Sequence, residues 1–302
     1  MKITNRFGLS QAWVNAVMHD DYDKVGDYSM TQLNNPVRQQ FLIQRHQDEI
    51  QEDVVDRIWM LLGSACHYVL EKAAEEGAIT ERRFCIPILG KQISMKPDRV
   101  EVFSRLPNGD IVYILKDFKI TSLYACRGQV KTDWVKQCNG YAYGMRMQGY
   151  DVRHASIEAL MKDWSYTECH VKKTYGYPKA QVQSLEVPMW DNDKCKAYLE
   201  NRVRAFENNI NTPDNRLPFC TEGERWAKGD RWAVLKEGGK KALPKGANFL
   251  TSGEAKQFSD TKNYPCKIEF RKEESVRCER YCPVKHVCNQ YKEVVSKSTR
   301  PF

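Results

Sequence analysis

The chain of 302 residues has no apolar run approaching the ~20 residues of a membrane-spanning helix. A helical membrane protein is thereby set aside. The first residues, MKITNRFGLSQAWVNAV, hold no continuous apolar stretch ahead of a small-residue cleavage site. They predict no signal peptide, and so a cytoplasmic protein with no membrane partner. There is no internal repeat and no low-complexity segment, which leaves no sign of a solenoid or a disordered linker. What remains is 41% hydrophobic with a mean hydropathy of −0.65, the balance of a soluble globular chain with a real core.

Charge is present but unevenly placed. Residues 221–302 hold 18 Lys/Arg against 11 Asp/Glu, a net of +7, while residues 1–220 hold 29 against 28. A near-neutral body with a basic C-terminal third fits a polyanionic partner, and equally a solvated charged face.

Residues 32–50 lean helical, with Ser29 or Thr31 as caps and Pro36 early in the stretch. From Asp53 to Gly77, Val55, Ile58, Trp59, Leu62, Ala65, Cys66, Val69, Leu70 and Ala73 recur at three- and four-residue spacing. That period predicts an amphipathic helix with this stripe in the core. Strand-like runs cover 82–89, 93–103 and 110–120, the last two joined by a turn at Pro107-Asn108-Gly109-Asp110. A helix is expected over 130–148, strands over 155–161 and 181–187, and a helix over 191–208 capped by Asp191. The order predicts a mixed α/β core fed by an antiparallel hairpin. After Pro213 little periodicity survives. The expected division is an N-terminal helical segment (1–50), a core (51–214) and a basic, cysteine-rich region (215–302).

Asp117 and Lys119 are two apart at the end of an apolar strand and point to one face. An exposed ion pair would explain them alone. The hairpin can also bring Asp98 beside Asp117, and two close carboxylates repel unless a cation lies between them; Mg²⁺ or Mn²⁺ suits such oxygen ligands. His67 and Glu71 share a helix face four residues apart, as do Gln137 and Tyr141.

In this order the pieces resemble the RecB-type branch of the PD-(D/E)XK nuclease superfamily. Gly63/His67/Glu71, Asp98, Asp117/Lys119 and Gln137/Tyr141 match its four ordered motifs over roughly residues 28–165. One departure is Met95, where the second motif has Gly. The resemblance implies a restriction-endonuclease-like core and Mg²⁺- or Mn²⁺-dependent hydrolysis of DNA. His67, Asp98, Asp117 and the Phe118 carbonyl would hold the metal, and Glu71 would orient His67. Lys119 would position water, and Gln137 and Tyr141 would brace the site or touch DNA. It further implies an exonuclease of phage recombination or repair, in the host cytoplasm, working beside a single-strand annealing or recombination protein. A non-catalytic DNA-binding accessory protein keeping the same fold is the rival.

Of the 11 cysteines, Cys66, Cys85, Cys126, Cys138, Cys169 and Cys195 are scattered through apolar stretches and read as buried small side chains. Cys278, Cys282 and Cys288 form a C-x₃-C-x₅-C run whose thiolates can converge on a metal. Cys220, Cys266 and His286 are candidates for a fourth ligand, to zinc or to a [4Fe–4S] cluster. A second resemblance, to RecB-type nucleases whose [4Fe–4S] cluster staples a C-terminal segment to the core, implies the cluster. In those relatives the fourth Cys precedes the nuclease motifs, and here none precedes Cys66; likeness to a Cys-Thr-x-x-Glu-Arg-Trp stretch of phage nucleases implies Cys220. Arg225, Trp226, Lys228, Arg231, Trp232, Lys236, Lys240, Lys241 and Lys245 mix cations with indoles, as phosphate contact and base stacking require, or else form a basic solvated loop.

Overall fold

Each of two units is assembled from two separated stretches of chain. The computed structural model describes residues 2–18, 25–73, 75–243 and 248–295. Unit 1 comprises Met1–Asn35 and Gln51–Ile210, and unit 2 comprises Pro36–Ile50 and Asn211–Phe302. The expected boundary near 214 falls within a few residues of this division. The first 50 residues, however, are not a segment of their own but are shared between both units.

Local chemistry explains most elements. Strand β1 (Lys2–Thr4) and helix α1 (Gln11–Met18) precede β2 (Tyr28–Ser29) and α2 (Met30–Asn34). The Ser29 hydroxyl accepts the Gln32 N–H at 3.1 Å and caps α2. Pro36, with φ −59°, leads into α3 (Val37–Arg45), so the single helix expected over 32–50 is two helices in different units. After β3 (Gln51–Asp53), Asp53 and Asp56 form a capping box on α4 (Val54–Lys72). Next come β4 (Ile79–Thr80), β5 (Phe84–Ile88), β6 (Lys91–Met95), β7 (Arg99–Arg105) and β8 (Ile111–Thr121). The run expected as one strand over 93–103 is broken at Pro97, which leaves Asp98 in a turn. The expected hairpin is present: Leu106 N–H donates to the Asp110 carbonyl, and Gly109 takes φ +90°. Unit 1 ends with α5 (Thr132–Met147), β9 (Asp151–Met161), β10 (Val182–Glu186) and α6 (Asn192–Glu207), the last capped by Asp191.

Unit 1 is thus mixed α/β. Its main sheet runs β10-β9-β8-β7-β4, with only β8 and β9 parallel, and β2-β6-β5 form a second sheet. Helix α5 packs closely at two glycines. A Cβ at Gly140 would lie 2.3 Å from Met30 Sδ, and one at Gly144 would lie 2.3 Å from Met95 Sδ. Met95, the residue that departs from the second motif, is therefore a buried plug in a notch that Gly144 leaves open.

Helix α4 departs from expectation. Only Val54 is buried along it, while Trp59 and Val69 are 56% and 63% exposed and Leu62 is exposed as well. Cations cover part of this apolar surface: Lys162 Nζ lies 3.8 Å from the Trp59 ring centroid and Lys72 Nζ lies 5.5 Å from that of Tyr68. The 3.6-residue period is real, but its face is only partly covered, by contacts with α1, β3 and β8 that leave Val55, Ile58, Cys66 and Leu70 half-buried.

Unit 2 also has regular structure that the sequence reading did not assign. It contains α3, α7 (Glu222–Arg225), β11 (Ala227–Lys228), β12 (Arg231–Lys236), β13 (Ala242–Leu243), α8 (Ser252–Asp260), β14 (Cys266–Arg271), β15 (Glu274–Ser275) and α9 (Val276–Arg280). Its sheet is β13-β12-β14, and β11 pairs with β15. Arg38 of α3 is 1% exposed and donates to the carbonyls of Asp214, Leu217 and Pro218 and to Asn289 Oδ1. Its guanidinium also lies over the Phe219 ring at 4.8 Å. Among the described residues no helix is long and apolar enough to cross a membrane.

Candidate functional site

A cleft of about 610 Å³ in unit 1 gathers side chains from α2, α4, β6, the turn at Asp98, β8 and α5. His67, Glu71, Asp98, Lys119, Gln137 and Tyr141, all anticipated, line it, together with Thr31, Glu81 and Lys96. Asp117 is fully buried; its Oδ2 lies 2.6 Å from Lys119 Nζ, and its Oδ1 has no hydrogen-bond partner. Asp98 Oδ2 accepts the Phe118 N–H at 2.7 Å, which ties the turn to β8. Phe118 thus meets the site through its amide, and its ring lies edge-on to His67 at 6.3 Å. Gln137 Nε2 donates to Tyr141 Oη at 3.1 Å.

The partner of His67 differs from expectation. Glu71, one turn further along α4, lines the cleft, but the near contacts of His67 Nδ1 are Asp98 Oδ2 at 3.6 Å and Glu81 Oε1 at 3.9 Å. Glu81 lies outside every motif read from the sequence, and nothing in its spacing could have flagged it. Lys96, two residues before Asp98, holds the other oxygen of Glu81 at 2.5 Å.

These distances set the electrostatics. Burial, and then the Asp117 charge, raise the Asp98 carboxyl to about 6. Burial works against the Lys119 ammonium, but Asp117 and Asp98 outweigh it and lift its pKa above the usual value. The facing Glu81 carboxylate is the main cause of a raised His67 pKa, with the Asp98 charge adding to it. Burial pushes Tyr141 up to about 12, so its hydroxyl stays neutral. Among the described residues, His67, Glu81 and Asp98 alone form a group whose ligand atoms all lie within 4.8 Å of one another. With Asp117 beside them, this oxygen-rich set with one imidazole fits a hard divalent cation.

In unit 2, Cys220, Cys278, Cys282 and Cys288 come together. Burial is the main reason the Cys220 thiol is pushed to about 12, and the charges of Glu224 and then of the other three cysteines add to it. Cys278 is pushed to about 11 by burial and by Cys282 and Cys288. Gln290 clasps the Cys220 backbone twice, accepting its N–H and donating to its carbonyl at 2.8 Å each. Cys266 stands apart on β14, its thiol directed at the Tyr264 carbonyl, and His286 is exposed. No three of these sulfurs fall within 4.8 Å of one another.

The basic residues divide by role. Arg225 is buried and paired with Glu273 at 2.7 Å, so its guanidinium is not offered to a phosphate. Trp232 stacks on Phe270 at 4.9 Å, and Trp226 packs on Tyr281 at 5.6 Å with the Arg277 guanidinium over its ring. Lys228 reaches Glu274 at 3.3 Å, and Arg231 bonds the Asp230 carbonyl. Lys240 and Lys241 are exposed. Lys245 lies outside the described residues.

No family model matches the sequence, and no curated protein matches it. Among solved structures, the chain is similar to a crystal structure titled SSO0001, at 14% identity and a TM-score of 0.42. The match covers 67% of this chain and 85% of that one. So distant a likeness carries no assignment.

Proposed function

We propose that this chain is a metal-dependent deoxyribonuclease with a PD-(D/E)XK core of the RecB type, degrading DNA from ends in recombination or repair. The observation that carries this reading is the convergence of His67, Asp98, Asp117, Lys119, Gln137 and Tyr141, drawn from separate stretches of chain, around one cleft. A divalent ion bound there supplies positive charge to a phosphodiester and acidifies a bound water. The raised pKa keeps Lys119 protonated at neutral pH, so it serves as a donor that holds water or a phosphate oxygen, not as a base. Phe118 N–H orients Asp98, and Gln137 and Tyr141 hold the wall beside them. In unit 2 the four cysteines would hold a [4Fe–4S] cluster with a structural role.

The test is digestion of linear and closed circular DNA in Mg²⁺ or Mn²⁺. Wild type should degrade linear DNA and spare circles, and Asp117→Ala should be slower by at least about 100-fold. If wild type leaves every DNA form intact in both metals, the reading fails. Anaerobically purified protein should be brown and contain iron. Colourless protein with one zinc per chain would replace the cluster, and Cys220→Ser should release the metal where Cys266→Ser does not.

A further inference from the structure

Glu81 is held in a conformation that an ordinary surface glutamate has no reason to keep. Its φ is +48°, in the left-handed region that a non-glycine residue adopts only when the surrounding structure holds it there. Its N–H donates to the Asp98 carbonyl at 3.2 Å, so the two acidic residues are bound to each other through their main chains. One carboxylate oxygen faces His67, and the other is fixed by Lys96. A salt bridge to Lys96 alone would need neither the backbone strain nor the approach to His67 and Asp98.

Charge counting points the same way. Asp98 and Asp117 balance Lys96 and Lys119, and the other charged groups of the cleft, Glu71 and Arg83, balance each other. Without Glu81 the site sums to zero with His67 neutral, and a dication gains little from entering it. With Glu81 the sum is −1. The buried Asp117 Oδ1, which has no hydrogen-bond partner, independently marks a place where a cation is wanted.

We propose that Glu81 is a ligand of the divalent ion, alongside His67 and Asp98, and that Lys96 is a positioning residue that holds the Glu81 carboxylate toward them. This rests on the metal-site reading of the cleft, but it is tested by binding and not by cleavage. The full chain, stripped of divalent ions, is titrated with Mn²⁺, and free Mn²⁺ is read by electron paramagnetic resonance. Glu81→Gln should weaken binding at least about 10-fold while melting at the wild-type temperature. Glu81→Asp keeps the charge but withdraws the oxygens, and should weaken binding too. Glu186→Gln, exposed on β10 and outside the cleft, should stay within about 2-fold.

If Glu81→Gln and Glu81→Asp bind Mn²⁺ like wild type while Asp98→Asn does not, Glu81 is no ligand and the nuclease reading stands without it. Should Glu81→Asp alone bind like wild type, only long-range charge matters and ligation is overturned. If Asp98→Asn and Asp117→Asn also leave Mn²⁺ binding untouched, the metal site itself is wrong.

Discussion

At the scale of single residues, the cleft trades fold stability for a ready place for a cation. A buried Asp98 carboxyl raised to about 6 binds its proton more tightly folded than unfolded. Its contribution to stability is therefore present at low pH and lost as pH rises through about 6. His67, also raised, has the same sign: its contribution is full below the unfolded value and lost as pH rises through the folded one. His46, raised through Glu49 and Asp214, adds to this trend from unit 2. Metal-free protein should melt higher at about pH 5.5 than at about pH 8, measured by scanning calorimetry in chelator. Asp98→Asn should flatten the part of that slope around pH 6, and an unflattened slope would mean that Asp98 is not titrating there. Mn²⁺ affinity should run the other way and fall below about pH 6, because the proton and the metal compete for one carboxylate. Asp98, Asp117 and Lys119 were legible in the sequence because short spacings on a strand and a hairpin fix their faces. Glu81 was not, since only the tertiary fold brings it to His67.

At the scale of elements, periodicity and turn chemistry gave most helix and strand positions, and the misses have local causes. Pro36 and Pro97 each cut a run that hydrophobicity alone reads as continuous. The α4 stripe shows the limit of pattern reasoning: a 3.6-residue period says that a face is apolar, not that something covers it. Leu62→Ser and Val69→Ser should thus cost no more than about 0.5 kcal/mol in chemical denaturation, where a core helix would lose several times that. The Gly144–Met95 pair carries the opposite prediction. Gly144→Leu should cost about 1–3 kcal/mol through overpacking, and adding Met95→Ala should recover much of it by reopening the notch. Because Met95 lies three residues before Asp98, the single variant should also bind Mn²⁺ more weakly. Equal, additive losses would show that the two side chains do not share the space.

At the scale of the whole molecule, the excess positive charge lies in the last third of the sequence, as composition indicated, but not all of it is available. Lys240→Ala with Lys241→Ala should reduce the salt slope of DNA binding by about 2 if each contacts a phosphate. Arg225→Ala should instead lower the melting temperature, because it leaves Glu273 half-buried and unpaired. Arg38→Met should destabilise unit 2 by about 3 kcal/mol, since three backbone carbonyls lose their donor together. That same arginine imposes an order on the protein's manufacture. Its carbonyl partners are encoded up to 180 residues further on, a wait of roughly 10–35 s at ribosomal speeds of about 5–20 residues per second. Helix α3 is therefore born early but finished late. Every residue that lines the cleft has left the ribosome before Cys220 and the later cysteines have been made, so the cleft can close while the thiol cluster is still unwritten.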